Sequence, residues 1–137
     1  MTIEKLNEIK ELSKTINALK RRLAVTKAKS ISTTSSLSGV PRAPGISDKV
    51  GNSVADIDEI KRKIHNARRR RKRLKVYIYC IDDDYMREIM ISKFIDGDTW
   101  EGIAAEIGNG NTKDSVRKSC ERFLERENMK KHEVRAR

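Results

Sequence analysis

The sequence predicts an all-α fold: a long antiparallel helical hairpin forming a coiled-coil-like arm, followed by a C-terminal helix-turn-helix. Three observations lead there. Apolar residues recur every three and four positions over two long stretches, the period of a helix face rather than of a strand. Aromatic residues make up 4% of the chain and charged residues 37%, which suits rods and small bundles better than a large packed interior. Near the C-terminus, two short periodic runs meet at a Gly-Asn-Gly-Asn turn.

The first helix is expected from Ile3 to about Lys29. Ile9, Leu12, Ile16, Leu19 and Leu23 step by three and four, a heptad seam with polar residues elsewhere. Ile3 and Leu6 fall off that seam, so the first turns are expected to drift or fray. Residues 30–53 then hold seven serines, two threonines, both prolines and three glycines. Such a composition buries too little apolar surface to offset its ordering entropy, and a flexible loop is expected. Its centre, Val40-Pro41-Arg42-Ala43-Pro44-Gly45, favours extended backbone before each proline.

A second seam starts near Val54, with Ile57, Ile60, Ile64, Ala67, Leu74, Ile78 and Ile81. Two amphipathic helices joined by a loop fold back on one another most simply, each covering the seam of the other. Pairing of identical chains through the same seam is the alternative. Within this helix residues 68–73 read RRRRKR, and Arg71 falls on the seam, where a charged residue weakens the core locally and in coiled coils specifies register or partner. Arg68, Arg69, Arg70 and Arg73 have two readings: a solvated face whose long stems snorkel, or a stripe of phosphate contacts. A nuclear-targeting run is a third.

Asp82, Asp83 and Asp84 end the arm, and carboxylates here accept the free amides of the next helix. Metal binding is their alternative use, but the spaced ligands and glycine of a calcium loop are missing. Tyr85, Met86, Ile89, Met90 and Phe94 build a helix to about Ile95, ended by Gly97. Thr99 caps the next helix, whose apolar face is Trp100, Ile103, Ala104 and Ile107, and Gly108 stops it. After Asn109, Gly110 and Asn111, Thr112 opens a further helix with Val116, Cys120, Phe123 and Leu124 on one side and Lys113, Arg117, Lys118 and Arg122 turned away. The expected organisation is an arm over 1–81 with its loop at about 30–53, a helix-turn-helix domain over 82–126, and a basic tail over 127–137.

A formal charge of +11 and a pI near 9.9 call for a polyanionic partner or much solvated surface. The charge is unevenly placed. Residues 82–108 hold eight acids against Arg87 and Lys93, about −6, whereas from Lys113 onward nine Lys or Arg face five acids, about +4. The basic side is thus the last helix and the tail, which points to a footprint on double-stranded DNA. A recognition helix needs one face fixed to its own domain and the other open to base edges. Thr112, Lys113, Asp114, Ser115, Arg117, Lys118 and Arg122 are the candidate DNA-binding residues. Arg117 has the geometry to grip guanine in two places, and Lys113 or Lys118 to meet phosphates.

Other functions find little in the residues. No apolar run approaches bilayer length and the N-terminal stretch lacks a signal peptide's apolar core, so no membrane association and a cytoplasmic location are expected. Cys80 and Cys120 lie far apart without metal-ligand spacing; they are expected to be apolar fillers, with no metal and no cofactor. His65 and His132 stand among Arg and Lys on polar stretches, and no glycine-rich phosphate loop accompanies them, so no enzyme is expected.

Residues 84–124, with IMISKFIDGDTWEGIAAEIGNGNTKDSVRKSCERFL, resemble region four of the sigma-seventy class of sigma factors. The shared pattern is a helix ending in a short glycine turn, an aromatic-Glu-x-Ile-Ala segment, and a recognition helix containing Val-Arg. The chain as a whole, with its two-helix arm and VPRAP loop, is similar to a family of short phage and prophage proteins described as transcriptional regulators. The resemblance implies a DNA-binding regulator in a bacterial host cytoplasm, with Thr112, Lys113, Ser115, Arg117, Lys118 and Arg122 at the DNA contacts. The acidic front has three readings, facing RNA polymerase, a basic arm or nothing, and the arm is expected to serve homo-oligomerisation or polymerase contact. Nothing here matches the promoter-melting region of a complete sigma factor, so the chain is not expected to replace one. Two alternatives stay open: a small terminase-like DNA-packaging protein whose arms assemble a ring, and a helical assembly module without specific DNA binding.

Overall fold

A computed structural model describes the backbone of residues 1–35 and 46–135 and the side chains of 1–32 and 54–130. Among these residues the protein is all-helical: α1 (Ile3–Ser35), α2 (Ile46–Tyr79), α3 (Asp84–Met90), a π-helical turn (Ile91–Asp96), α4 (Trp100–Ile107) and α5 (Lys113–Arg135). The all-α expectation is met. Both arm helices run further than a loop at 30–53 allows. Thr26 and Ser32 turn their hydroxyls back on the helix, donating to the carbonyls of Arg22 and Lys29, each at 2.9 Å. A serine-rich sequence can in this way stay helical, with its side chains satisfied by the backbone. The Val40–Gly45 segment of the expected loop lies outside the described residues.

The chain divides into two compact units, Met1–Leu12 with Arg71–Arg137, and Ser13–Arg70. In the first, one apolar cluster joins Leu6 and Ile9 of α1, Leu74 and Ile78 of α2, Met86, Ile89 and Met90 of α3, Phe94, Ile103 and Ala104, and Val116, Cys120, Phe123 and Leu124 of α5. Leu6 is 0% exposed, which overturns the expectation of fraying first turns. A two-helix seam explains only one stripe of α1; its first turns meet several helices at once, and the buried stripe widens to include Leu6. The Met1 ammonium donates to Asn128 Oδ1, and Asn128 Nδ2 donates back to the Met1 carbonyl at 2.8 Å, fastening the start of α1 along α5. Burial and the charge of Glu127 together push the Tyr77 phenol above its ordinary pKa.

The second unit contains the rest of the arm. Ile16, Ile60 and Ile64 are buried there, as the heptads require. Glu59 is held below the usual carboxylate range by a hydrogen bond from Lys63 and by its charge, with Arg62 and then Arg22 of α1 adding attraction. Arg71, expected on the seam, is half-buried, and His65 is exposed.

The first unit departs from the expectations in several details. Tyr85, one of the residues expected to build α3, is 55% exposed, while Met86 beside it is buried. The helix through Ile95 is not one α-helix: it changes to a π-turn at Ile91, and its end is closed at Gly97 by two N–H groups, of Gly97 and Asp98, donating to the Ser92 carbonyl at 2.9 Å. Phe94 is buried in the cluster, four residues on from Met90 as a regular helical period has it. Cys80 is exposed, not an apolar filler; only Cys120 is buried. α5 continues through Arg135, into the expected basic tail over 127–137.

Candidate nucleic-acid interface

The α4–α5 corner is built by side-chain caps and left-handed residues. Thr99 has extended backbone, and its Oγ1 accepts from the Gly102 N–H at 3.0 Å, so one of the free amides in the first turn of α4 is satisfied. Ile103 and Ala104 are buried, while Trp100 and Ile107 lie half-buried at the edge of the cluster. Trp100 meets Phe94 edge-on with centroids 6.1 Å apart, and the Lys93 ammonium stands 4.9 Å from the indole centroid. Trp100 therefore packs, as expected, with one face also turned to a cation.

Gly108, Asn109 and Gly110 follow with φ of 67°, 55° and 71°. Gly108, with ψ −147°, stands in a region that side-chain-bearing residues rarely enter, which is why α4 stops there. Asn111 closes the turn: its backbone N–H and its Nδ2 both donate to the Gly108 carbonyl, at 3.1 and 2.9 Å. Thr112 then caps α5, its Oγ1 accepting from the Ser115 N–H at 3.2 Å. The hydroxyl is occupied by the helix start, so Thr112 sets the geometry of α5 first and meets a ligand second.

Val116, Cys120, Phe123 and Leu124 are buried, which fixes how α5 is turned about its axis. Burial raises the Cys120 thiol to about 12, with the Glu121 charge adding to it, and its Sγ lies 3.5 Å from Met86 Sδ. All seven candidate DNA-binding residues, Thr112, Lys113, Asp114, Ser115, Arg117, Lys118 and Arg122, are exposed. By helical spacing Asp114, Lys118 and Arg122 form one row opposite the buried side. Arg122 steadies itself by donating from Nε to the Lys118 carbonyl at 3.3 Å. It also edges an open cleft of about 750 Å³ between α3 and α5, with Tyr85, Met86, Ser119 and Met129 on its walls.

Arg117 differs from these. Its Nε donates to Glu121 Oε1 at 3.0 Å, so it carries a carboxylate of its own helix. Glu4, on the first turn of α1, is held low by a backbone N–H, then by the Thr2 hydroxyl, with attraction from Arg117 adding to these. Arg117 thus lies on the flank of α5 beside α1 rather than in the outward row. Sequence reasoning missed Glu4 and Asn128, because nothing in a local period signals a contact across more than a hundred residues.

The acids at 82–84 divide their tasks. Asp83 is the cap of α3, accepting from the Met86 N–H at 2.9 Å, and Asp84 pairs with Arg87, whose guanidinium also donates to the Ile81 carbonyl. Asp82 is exposed. Among the described residues no group of three or more His, Cys, Asp or Glu is arranged to hold a metal, and no helix is long and apolar enough to cross a membrane. Of the arm candidates, Arg68, Arg69, Arg70 and Arg73 are all exposed; the first three belong to the Ser13–Arg70 unit, and Arg73 to the other. The side chain of His132 lies outside the described residues. No protein-family model, no curated protein and no solved structure matches this chain.

Proposed function

We propose that the protein is a sequence-specific DNA-binding transcription regulator of phage type, in which α4, the glycine turn and α5 act as a helix-turn-helix and α5 reads double-stranded DNA. The observation that carries this reading is the start of α5. A Thr112 cap, an apolar side sunk into the cluster and an exposed row of Asp114, Lys118 and Arg122 give a helix that is held on one side and open on the other. Ser115 and Lys113 flank that row at the helix end that enters a groove. The arm is an antiparallel hairpin of α1 and α2, a reading supported by the shared burial of Leu6, Ile9, Leu74 and Ile78. Homo-oligomerisation and contact with RNA polymerase belong to the same proposal.

The test is selection of DNA from a random pool by the purified protein, followed by binding of the selected site to Lys118→Ala and Arg122→Ala variants. One short enriched sequence is expected, with each variant weakened about 5- to 150-fold if it loses a two-point base contact. An unenriched pool, or variants with unchanged affinity and salt dependence, would remove α5 as the reading helix. A closed ring of many subunits in solution would favour packaging over regulation.

A further inference from the structure

The net charge of this protein does not reside with α5. Residues Ser13–Arg70 hold fourteen Lys or Arg against four Asp or Glu, a net +10, which leaves +1 for Met1–Leu12 and Arg71–Arg137 together. We propose that the Ser13–Arg70 unit is a second nucleic-acid site: a sequence-independent surface for the phosphate backbone of a duplex, centred on Arg62, Arg68 and Arg69. It belongs to the other compact unit than α5 and does not depend on α5 reading DNA.

Local acids satisfy only a small part of this charge. Twelve of the fourteen basic residues have described side chains, and all twelve are exposed. Of the three described acids, Asp58 pairs with Lys61 at 3.4 Å and Glu59 with Lys63 at 2.6 Å, both lysines. Arg62, Arg68 and Arg69 have no ion pair among the described residues. Arg62 and Arg69 stand seven residues apart, two helical turns and about 10.5 Å, on the side of α2 opposite buried Ile60 and Ile64. Over that length a duplex presents about six phosphate charges. Guanidinium groups match phosphate oxygens in two-point geometry, which ammonium groups do not.

Composition selects among polyanions. Residues 13–70 contain no Phe, Trp or Tyr, so the unit offers no platform on which single-stranded bases stack. It equally lacks the aromatic anchors of a membrane-surface helix; its seam residues Ile16, Ile60 and Ile64 are 2%, 4% and 6% exposed, and its exposed aliphatics are Val25, Ile31 and Val54. A duplex read through its backbone alone remains.

The test uses the full chain with Arg62→Gln, Arg68→Gln and Arg69→Gln combined; glutamine keeps nearly the helix propensity of arginine, and circular dichroism checks helicity. Binding to a random-sequence 30-bp DNA duplex is followed from 50 to 200 mM salt. Losing three phosphate contacts flattens the slope of log affinity on log salt by about 2.7, so across this range the wild type loses about 40-fold more affinity than the variant. The matching Arg→Lys triple variant is expected to keep the wild-type slope. An unchanged slope in the glutamine variant overturns the proposal. So does tighter binding to a 30-nucleotide single strand, or to anionic phosphatidylserine vesicles, than to the duplex. Failure of α5 as reader appears differently, as absence of any enriched sequence while the arm variant still flattens the slope.

Discussion

Leu6→Ala measures how firmly the start of the arm is built into the C-terminal helices. Leu6 is 0% exposed and shares its cluster with residues of α2, α3, α4 and α5. Alanine removes three buried carbons, about 2.4 kcal/mol at about 0.8 kcal/mol per methylene. The cavity left among helices that relax only in part brings the expected loss to about 2–5 kcal/mol. Trp100 packs against the same cluster, so its fluorescence during urea unfolding reports on this unit. With a denaturant slope of about 2 kcal/mol per molar, the midpoint falls by about 1–2.5 M. Val25→Ala, at a site 54% exposed on the same helix, is expected to stay within about 0.5 kcal/mol of wild type. A Leu6→Ala midpoint within about 0.25 M of wild type would refute the reasoning, because fraying first turns would behave in that way.

The two cysteines are expected to separate by reactivity: Cys80 reacts with a thiol reagent in the native protein and Cys120 only at the rate of opening, and equal rates would contradict the burial. The folded state keeps the Cys120 thiol protonated to about pH 12, whereas the unfolded thiol ionises from about 8.5. Its stabilising contribution is therefore fully present below that value and declines above it by up to about 1.4 kcal/mol per pH unit; the advantage of wild type over Cys120→Ala in urea should shrink between pH 8 and 10. Gly108→Ala forces a side chain into a conformation costing about 1–3 kcal/mol, and Thr112→Ala, which frees the Ser115 amide, about 1 kcal/mol; thermal melts in which Gly108→Ala is neutral would show that the turn relaxes.

What could be read from the residues was what local chemistry decides. Thr99 and Thr112 cap where their spacing to the apolar runs indicates, and the buried side of α5 is the predicted set Val116, Cys120, Phe123 and Leu124. Ile9, Ile16, Ile60, Ile64, Leu74, Ile78 and Ile81 are buried as their period requires. What could not be read depends on partners distant in sequence. Leu6 is off the seam yet buried because a third direction of packing exists there. Tyr85 is exposed while its neighbour Met86 enters the cluster. The π-turn at Ile91 adds backbone without changing composition, so no pattern marks it. Ser30–Ser35 reads as loop because serine is a weak helix former, a small preference offset where the helix simply continues from Lys29 and the Ser32 hydroxyl donates to the Lys29 carbonyl.

If α5 meets phosphate as proposed, the Arg117–Glu121 pair acts as its affinity dial. The acid follows the arginine by four residues, the weaker order for helix support, and both side chains are substantially exposed, so the pair contributes only tenths of a kcal/mol to folding. A phosphate therefore competes with a carboxylate that can be displaced at small cost, and Glu121 sets how much of the guanidinium's charge a ligand receives. Grading that one position from Glu through Gln to Lys would tune binding without touching the outward row, a handle by which the same helix is made a weak or a strong binder.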